Sequence, residues 1–222
     1  MDRIQLYSLA TPNGQKVSIA LEELGLPYDA HTIDIMAGDQ FSDEFIRINP
    51  NSKIPAIVDL NPDNIEDGQP LPIMESGAIL LYLAEKTGKL LSADPRLRVE
   101  TLQWLFFQVG GIGPMFGQFG HFYRYGRDNC DHPYPVERYA TEARRLLGVL
   151  ETRLEGRHYL VGEAYSIADI ATFPWVICLD RFYEASEKLG LSEFPNVAAW
   201  VERCRCRPAS VRGLEVCRIE RD

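Results

Sequence analysis

A proline at the head of a β-branched run, in Asn51-Ser52-Lys53-Ile54-Pro55-Ala56-Ile57-Val58-Asp59, constrains this chain more than any other feature. Proline cannot donate to a β ladder, so Pro55 belongs at the first residue of a strand or at a bulge. If the Ile54–Pro55 bond is cis, Ile54 offers its own N–H and C=O to a ligand lying alongside, the main-chain pairing of β-augmentation. Downstream, Met74-Glu75-Ser76-Gly77-Ala78-Ile79 sets Glu75 and Ser76 just ahead of an apolar helix pattern formed by Ala78, Ile79, Tyr82 and Leu83. A helix start has unpaired N–H groups and the positive end of the dipole, so an incoming carboxylate is held there by the Ser76 hydroxyl and local amides. The two segments together describe a pocket for an extended peptide with a free carboxylate.

The surrounding pattern supplies a scaffold. Ile4-Gln5-Leu6-Tyr7-Ser8 alternates as a short strand, and Lys16 to Leu24 repeats apolar residues at helical spacing until Gly25 stops it. Tyr28 to Ile35 reads as a second strand, Gln40 to Ile46 as a short helix and Ile54 to Leu60 as a third strand. A turn-rich loop from Asn61-Pro62-Asp63-Asn64 to Gly68-Gln69-Pro70 lets Leu71 to Met74 return as an antiparallel strand. The order βαβ, α, ββ, α is thioredoxin-like. From Arg96 onward the periodicity is helical, over 96–125, 135–155, 167–185 and 195–206. The spacing predicts an α/β thioredoxin-like N-terminal domain over 1–88, a linker over 89–95 and an all-α helical-bundle C-terminal domain over 96–222. Ser166-Ile167-Ala168-Asp169 has the form of a capping box whose role is folding.

Composition excludes several functions. A net charge of -9 leaves no basic stripe to displace counterions from phosphates, which argues against nucleic acid as a partner. Met1-Asp2-Arg3-Ile4 lacks an apolar signal region, and no apolar run approaches the roughly 20 residues that span a bilayer. Cys130, Cys178, Cys204, Cys206 and Cys217 form an odd set without framework spacing, which suits a reducing compartment, so the expected location is cytoplasmic. No metal is expected: Cys204-Arg205-Cys206 lacks a second ligand pair, and His31, His121, His132 and His158 are scattered. A hydrolase elbow of the Gly-x-Ser-x-Gly type is absent, and Gly110-Gly111-Ile112-Gly113 follows no strand, so it is no nucleotide loop.

The Asn51–Asp59 and Met74–Ile79 segments, at their separation, resemble the glutathione-binding half of glutathione transferases. Further stretches resemble the nu-class bacterial disulfide-bond reductases related to the yeast nitrogen regulator with a transferase fold. They are Tyr7-Ser8-Leu9-Ala10-Thr11-Pro12-Asn13-Gly14-Gln15-Lys16, Gly38-Asp39-Gln40-Phe41, Glu75 to Gly88, Leu102-Gln103-Trp104-Leu105 with Gly110 to Met115, Val136-Glu137-Arg138-Tyr139, and Tyr165 to Ile170. The resemblance spans nearly the whole chain and implies the glutathione transferase fold, a homodimer, glutathione as cosubstrate and no permanently bound cofactor. It implies that Gln40 and Lys53 reach the glycyl end of glutathione, Ile54 its cysteinyl backbone, and Glu75 and Ser76 its γ-glutamyl end. It also points Arg138 into the glutathione site of the partner subunit, beside the plainer reading of a surface arginine paired with Glu137, Glu142 or solvent.

Thioredoxin-like enzymes that use their own thiols carry a cysteine at the first strand-to-helix turn, which here reads Ala10-Thr11-Pro12-Asn13. The expected nucleophile is therefore the thiol of bound glutathione, with Thr11 and Asn13 as the groups that favour and aim its thiolate. From this segment alone Thr11 reads equally as an N-cap ahead of Pro12. Phe106, Phe107, Phe116, Phe119, Phe122, Tyr123 and Tyr125 line either an apolar cleft or a core, and Gly110, Gly111 and Gly113 call for close packing or an open channel, with a bend near Pro114. The activity implied is reduction of small disulfides by bound glutathione; the alternatives are conjugation of glutathione to organic electrophiles and a non-catalytic glutathione-binding regulator.

Overall fold

Ile4, Leu6 and Ser8 are buried on one face of strand β1 (Ile4–Ser8), as the alternation requires. The computed structural model describes residues 4–63, 65 and 68–220, so the readings for Met1, Asp2, Arg3 and Asn64 lie outside the described residues. β1 pairs parallel with β2 (Tyr28–Thr32) and antiparallel with β3 (Ala56–Asp59), and β3 pairs antiparallel with β4 (Leu71–Met74), giving the order β2-β1-β3-β4. Helix α1 (Pro12–Leu24) is the crossover from β1 to β2 and ends at Gly25 with φ 66°, the left-handed cap that glycine adopts without a Cβ penalty. Helix α2 (Asp43–Ile48) precedes β3, and α3 (Ser76–Thr87) follows β4.

Two local differences from the expected elements have visible causes. β2 ends at Thr32 because Asp34 turns the chain: its side chain accepts from Met36 N at 2.9 Å and its carbonyl accepts from Ala37 and Gly38. The helix expected over 40–46 divides into a 3₁₀ turn, Asp39–Phe41, and α2, because Ser42 caps the latter through Phe45 N.

A second unit comprises residues 92–206. Its helices are α4 (Pro95–Phe107), α5 (Gly113–Gly120), α6 (Tyr134–Leu154), α7 (Ile167–Arg181), α8 (Ser186–Leu189) and α9 (Pro195–Arg205). The long helix expected over 96–125 is interrupted by π turns at Gln108–Ile112 and His121–Tyr125. The first of these carries Gly110 and Gly111 and ends two residues before Pro114, near which the sequence leads one to expect a bend. A Cβ on Gly113 would lie 2.9 Å from Gln108 Nε2, so the packing there is close and the end of that side chain would have to give way, whereas one on Gly110 would meet nothing within 4 Å. Phe116 and Phe119 are fully buried, Tyr123 stacks on Phe119 and Phe122 stacks on Tyr139, so these aromatics serve packing.

The capping box at the start of α7 is also the polar centre of this unit. Asp169, fully buried, accepts from Leu160 N at 2.9 Å, Ser166 N at 3.0 Å, Ser166 Oγ at 3.0 Å and Trp200 Nε1 at 2.9 Å, which ties α7 to α9 and to the preceding loop. Burial pushes its carboxyl upward and the four donors oppose that shift.

The chain then leaves this unit. Helix α10 (Pro208–Gly213), expected within the helical domain, groups with the first unit and packs on α1. Ser18 Oγ donates to Gly213 O at 2.6 Å, Gln15 Nε2 to Leu214 O at 3.1 Å and Ala10 N to Cys217 O at 3.2 Å. Arg207 pairs with Glu23 and Arg212 with Glu22. A Cβ on Gly213 would come within 2.6 Å of Ile19 Cα, so the absence of a side chain lets the helices touch.

Asp169→Ala would leave two backbone N–H groups and the Trp200 indole N–H buried without an acceptor, each worth about 1 to 3 kcal/mol. Urea unfolding is expected to show a loss of about 3 kcal/mol or more, and Asp169→Asn, which keeps one acceptor oxygen, a smaller one.

Candidate functional site

The strand register brings the expected ligand-contacting segments of the first unit to one end of the sheet. Tyr7 lies opposite Ala56, and Ala56 opposite Met74, so the turn after β1, the residues before β3 and the residue after β4 emerge together. β1 and β2 run parallel with Ser8 beside Thr32, so the loop carrying Gln40 leaves at that end as well. Crevices at the carboxyl ends of strands are where open α/β sheets bind ligands.

Thr11 is the N-cap of α1, with φ -93° and ψ 164°, and its Oγ accepts from Gly14 N at 3.4 Å. The cap uses a lone pair and leaves the hydroxyl proton to donate, so a cap and a sulfur ligand are compatible in one residue. Asn13 is the second residue of α1, half-buried, at the positive end of the helix. The turn closes around Gly14, whose added Cβ would strike the Leu9 carbonyl oxygen and the Ser8 hydroxyl.

Ile54 is half-buried, its bond to Pro55 is cis, and among the described residues neither its N–H nor its C=O has a hydrogen-bond partner. The loop that presents it is shaped by Asn49, a buried residue that the motif reading passed over. Asn49 Nδ2 donates to Lys53 O at 2.6 Å, and its Oδ1 accepts from Asn51 N at 2.9 Å. Lys53 itself is exposed, with no carboxylate paired to it among the described residues. Gln40 donates from Nε2 to Ile35 O at 3.2 Å, while its buried Oε1 has no partner among the described residues.

At the start of α3 the N-cap is Glu75, and Ser76 is the first helical residue. Glu75 has φ 69° and ψ 115°, and its side chain makes no capping bond. A non-glycine residue in that region costs about 1 to 3 kcal/mol and persists only where its surroundings impose it. The first helical bond is Ile79 N to Glu75 O at 2.9 Å, so the N–H groups ahead of it point out of the helix end. Ser76 Oγ is not a cap; it accepts from Lys16 Nζ at 3.3 Å. Lys16, on the buried stripe of α1, is only 1% exposed. Burial pulls its ammonium down to about 7, against the opposing pull of the Glu75 carboxylate. A lysine within an apolar helical repeat reads as a solvated side chain, and only the three-dimensional contact to residue 76 reveals otherwise.

Arg138 lies exposed on α6 of the second unit. Glu137 pairs with Lys188 and Glu142 with Arg145, and the charge of Arg138 also helps to lower the Glu142 carboxyl. No ion pair closes on Arg138 among the described residues. Of the five cysteines none is in a disulfide. Burial pushes the Cys178 thiol up to about 12 and the Cys217 thiol above its ordinary value, and the Glu202 carboxylate raises Cys206. Cys217 approaches the Ala10–Thr11 turn through its backbone carbonyl, a proximity that its position near the chain end did not reveal. No helix among the described residues is long and apolar enough to cross a membrane.

Comparison with known proteins identifies the family. The family Glutathione S-transferase, N-terminal domain, matches residues 10–86, and Glutathione S-transferase, C-terminal domain, matches residues 132–208. The disulfide-bond oxidoreductase YfcG of Escherichia coli is 51% identical over 211 residues, covering 95% of this chain and 94% of that protein. The crystal structure of a glutathione transferase family member from Pseudomonas fluorescens, with two glutathione bound, superposes with a TM-score of 0.93 at 53% identity, covering 97% of this chain and 93% of that one. A glutathione transferase from Pseudomonas putida, with one glutathione disulfide bound per subunit, gives a TM-score of 0.93 at 53% identity over 96% of this chain and 91% of that one. The chain belongs to the glutathione transferase superfamily and stands within it beside the bacterial disulfide-bond oxidoreductases.

Proposed function

We propose that this protein is a glutathione-dependent disulfide-bond oxidoreductase whose nucleophile is the thiolate of bound glutathione and not a cysteine of its own. The observation that carries the reading is the end of the sheet. Two hydrogen-bonding side chains, Thr11 and Asn13, stand at the start of α1 where a thiol enzyme has its cysteine, beside an unpaired main-chain edge at Ile54 and an uncapped helix start at Glu75-Ser76. Those features suit the parts of glutathione in turn. The cysteinyl N–H and C=O pair with Ile54, the γ-glutamyl carboxylate sits on the α3 amides and Ser76, and the γ-glutamyl ammonium faces Glu75. Lys53 supplies a cation for the glycyl carboxylate, and Gln40 joins it once its amide releases Ile35 O.

The sulfur is then held at the α1 N-terminus, where the Thr11 hydroxyl, the Asn13 amide and the helix dipole all favour the anion. An unperturbed thiol titrates at about 8.5, so each unit of depression, about 1.4 kcal/mol, yields up to tenfold more thiolate at neutrality. That thiolate attacks one sulfur of the substrate disulfide, forming a mixed disulfide and expelling the other sulfur as thiolate. A second glutathione thiolate attacks the glutathione sulfur of the mixed disulfide, so that one substrate disulfide and two glutathione become two substrate thiols and one glutathione disulfide. The relatives with two glutathione or one glutathione disulfide bound support a site of that size. A homodimer with Arg138 reaching the partner subunit's glutathione, and a cytoplasmic location, complete the proposal. Conjugation to an electrophile uses the same thiolate, and turnover of a small disulfide against a halogenated aromatic separates the two chemistries.

Replacing all five cysteines by serine or alanine is expected to leave disulfide reduction within about threefold of wild type in a variant that retains its fold; loss of turnover there assigns the chemistry to a protein thiol. Thr11→Ala is expected to move the pH-rate profile upward and to lower turnover near neutrality with little change in glutathione affinity, and a profile that stays put excludes Thr11 from activating the sulfur. Glu75→Gly, which relieves the positive φ and removes the carboxylate, is expected to raise the unfolding free energy by about 1 kcal/mol while weakening glutathione binding. Calorimetry and urea unfolding on the same variant check both signs.

A further inference from the structure

The buried ammonium of Lys16 has no part in the chemistry above, yet it lies directly beneath the residue assigned to the γ-glutamyl carboxylate. Lys16 Nζ donates to Ser76 Oγ at 3.3 Å from a position 1% exposed. A protonated lysine has three donors and no acceptor, so in this pair the serine oxygen must accept. Its own proton is then turned away from the lysine, and among the described residues no acceptor takes it. A neutral amine has a lone pair that can accept the serine proton, and the hydroxyl would then point inward.

We infer that Lys16 is a positioning residue for the anionic end of the ligand: its charged form turns the Ser76 hydroxyl outward as a donor and places a buried positive charge under the first turn of α3. The inference rests on the glutathione reading of the Glu75-Ser76 site and adds to it a group that does not touch the ligand. From α3 the facing carboxylate is Glu75, while Lys86 is held by Asp59 and Asp63 at the far end of that helix and Glu85 is exposed. On α1 itself and on the α10 side, Glu22 is paired with Arg212 and Glu23 with Arg207.

A bound carboxylate stabilises the ammonium, so the complex holds the Lys16 proton more tightly than the free protein does. Free Lys16 titrates at about 7 through burial. Affinity for the anion is therefore greatest below that pH and falls as pH rises from there toward the higher value in the complex, and binding just above neutrality takes up a proton.

The test is calorimetric titration of S-methylglutathione, whose blocked sulfur removes the thiol from the proton balance, between about pH 6 and about pH 8 in buffers of different ionisation enthalpy. Wild type is expected to take up a substantial fraction of a proton at about pH 7.5 and to lose affinity several-fold across the range. Lys16→Met, which keeps a similar length and sheds a buried charge, is expected to bind about tenfold more weakly at the acid end, with no proton uptake and a flat profile. Wild-type binding without proton uptake overturns the inference, and that result needs no variant to fold. Uptake that persists in Lys16→Met and vanishes in Glu75→Gln also overturns it, by assigning the proton to the carboxylate. Ser76→Ala separates the two levels. Unchanged affinity in that variant removes the site reading and this inference with it, whereas weakened affinity together with no wild-type proton uptake leaves the site and removes only the role of Lys16.

Discussion

Helix α1 is enclosed on two sides, and the arrangement of the site depends on that enclosure. On the α3 side its contact includes the Lys16 to Ser76 hydrogen bond. On the α10 side Gly213 comes against Ile19, and Ser18 donates to the Gly213 carbonyl at 2.6 Å. The N-terminal end of the helix is fixed as well, since Gly14 admits no side chain against Leu9 and Ser8, and Ala10 N is bound to Cys217 O. A helix held at so many points presents its first-turn amides, its dipole and the Thr11 and Asn13 side chains in one orientation. Preorganised donors of that kind stabilise an anion without reorganising for it.

Several local costs of the same unit lie at the end of the sheet. Glu75 sits at positive φ, Ile54 leaves both main-chain groups unpaired, Lys16 buries its amine and Gln40 buries an unmatched acceptor. Asp169 in the second unit is the opposite case, a buried carboxylate met by four donors. Such costs also occur away from the end of the sheet, at the positive φ of Leu90 and Glu184 and at the buried, unmatched Ser210 Oγ among the described residues, so the site reading rests on what the groups at the sheet end offer a ligand and not on strain alone.

Much of this was legible in the sequence wherever the determinant is local. The period-two alternation of Ile4, Leu6 and Ser8, the Gly25 stop, the Thr11 cap and the Ser166–Asp169 box each depend on residues within four positions, and each appears as expected. The illegible parts depend on distant contacts. Lys16 is defined by a residue 60 positions away, and Ser18 by a carbonyl 195 positions away, which is why the return of α10 to the first unit escaped a periodicity argument. Asn49 looks like an ordinary turn residue until its side chain is seen to hold the Lys53 carbonyl. The run over 96–125 was legible as helical, but not as interrupted by π turns, because glycine spacing alone does not distinguish a π turn from a bend. For Arg138 the sequence offers a reach into the partner subunit or a surface pairing with Glu137, Glu142 or solvent, and the contacts within one chain, where Glu137 pairs with Lys188 and Glu142 with Arg145 while still feeling the charge of Arg138, do not separate the two.

The account stands or falls on which sulfur attacks the substrate. Acid quenching during steady-state reduction of a small disulfide, followed by intact-protein and small-molecule mass spectrometry, identifies the species that carries the mixed disulfide. The account predicts a glutathione–substrate mixed disulfide free of the protein, with all five cysteines unmodified. A covalent adduct of substrate or glutathione on a protein cysteine, formed and discharged at the rate of turnover, would contradict it; Cys217 beside the Thr11 turn is the first place to look.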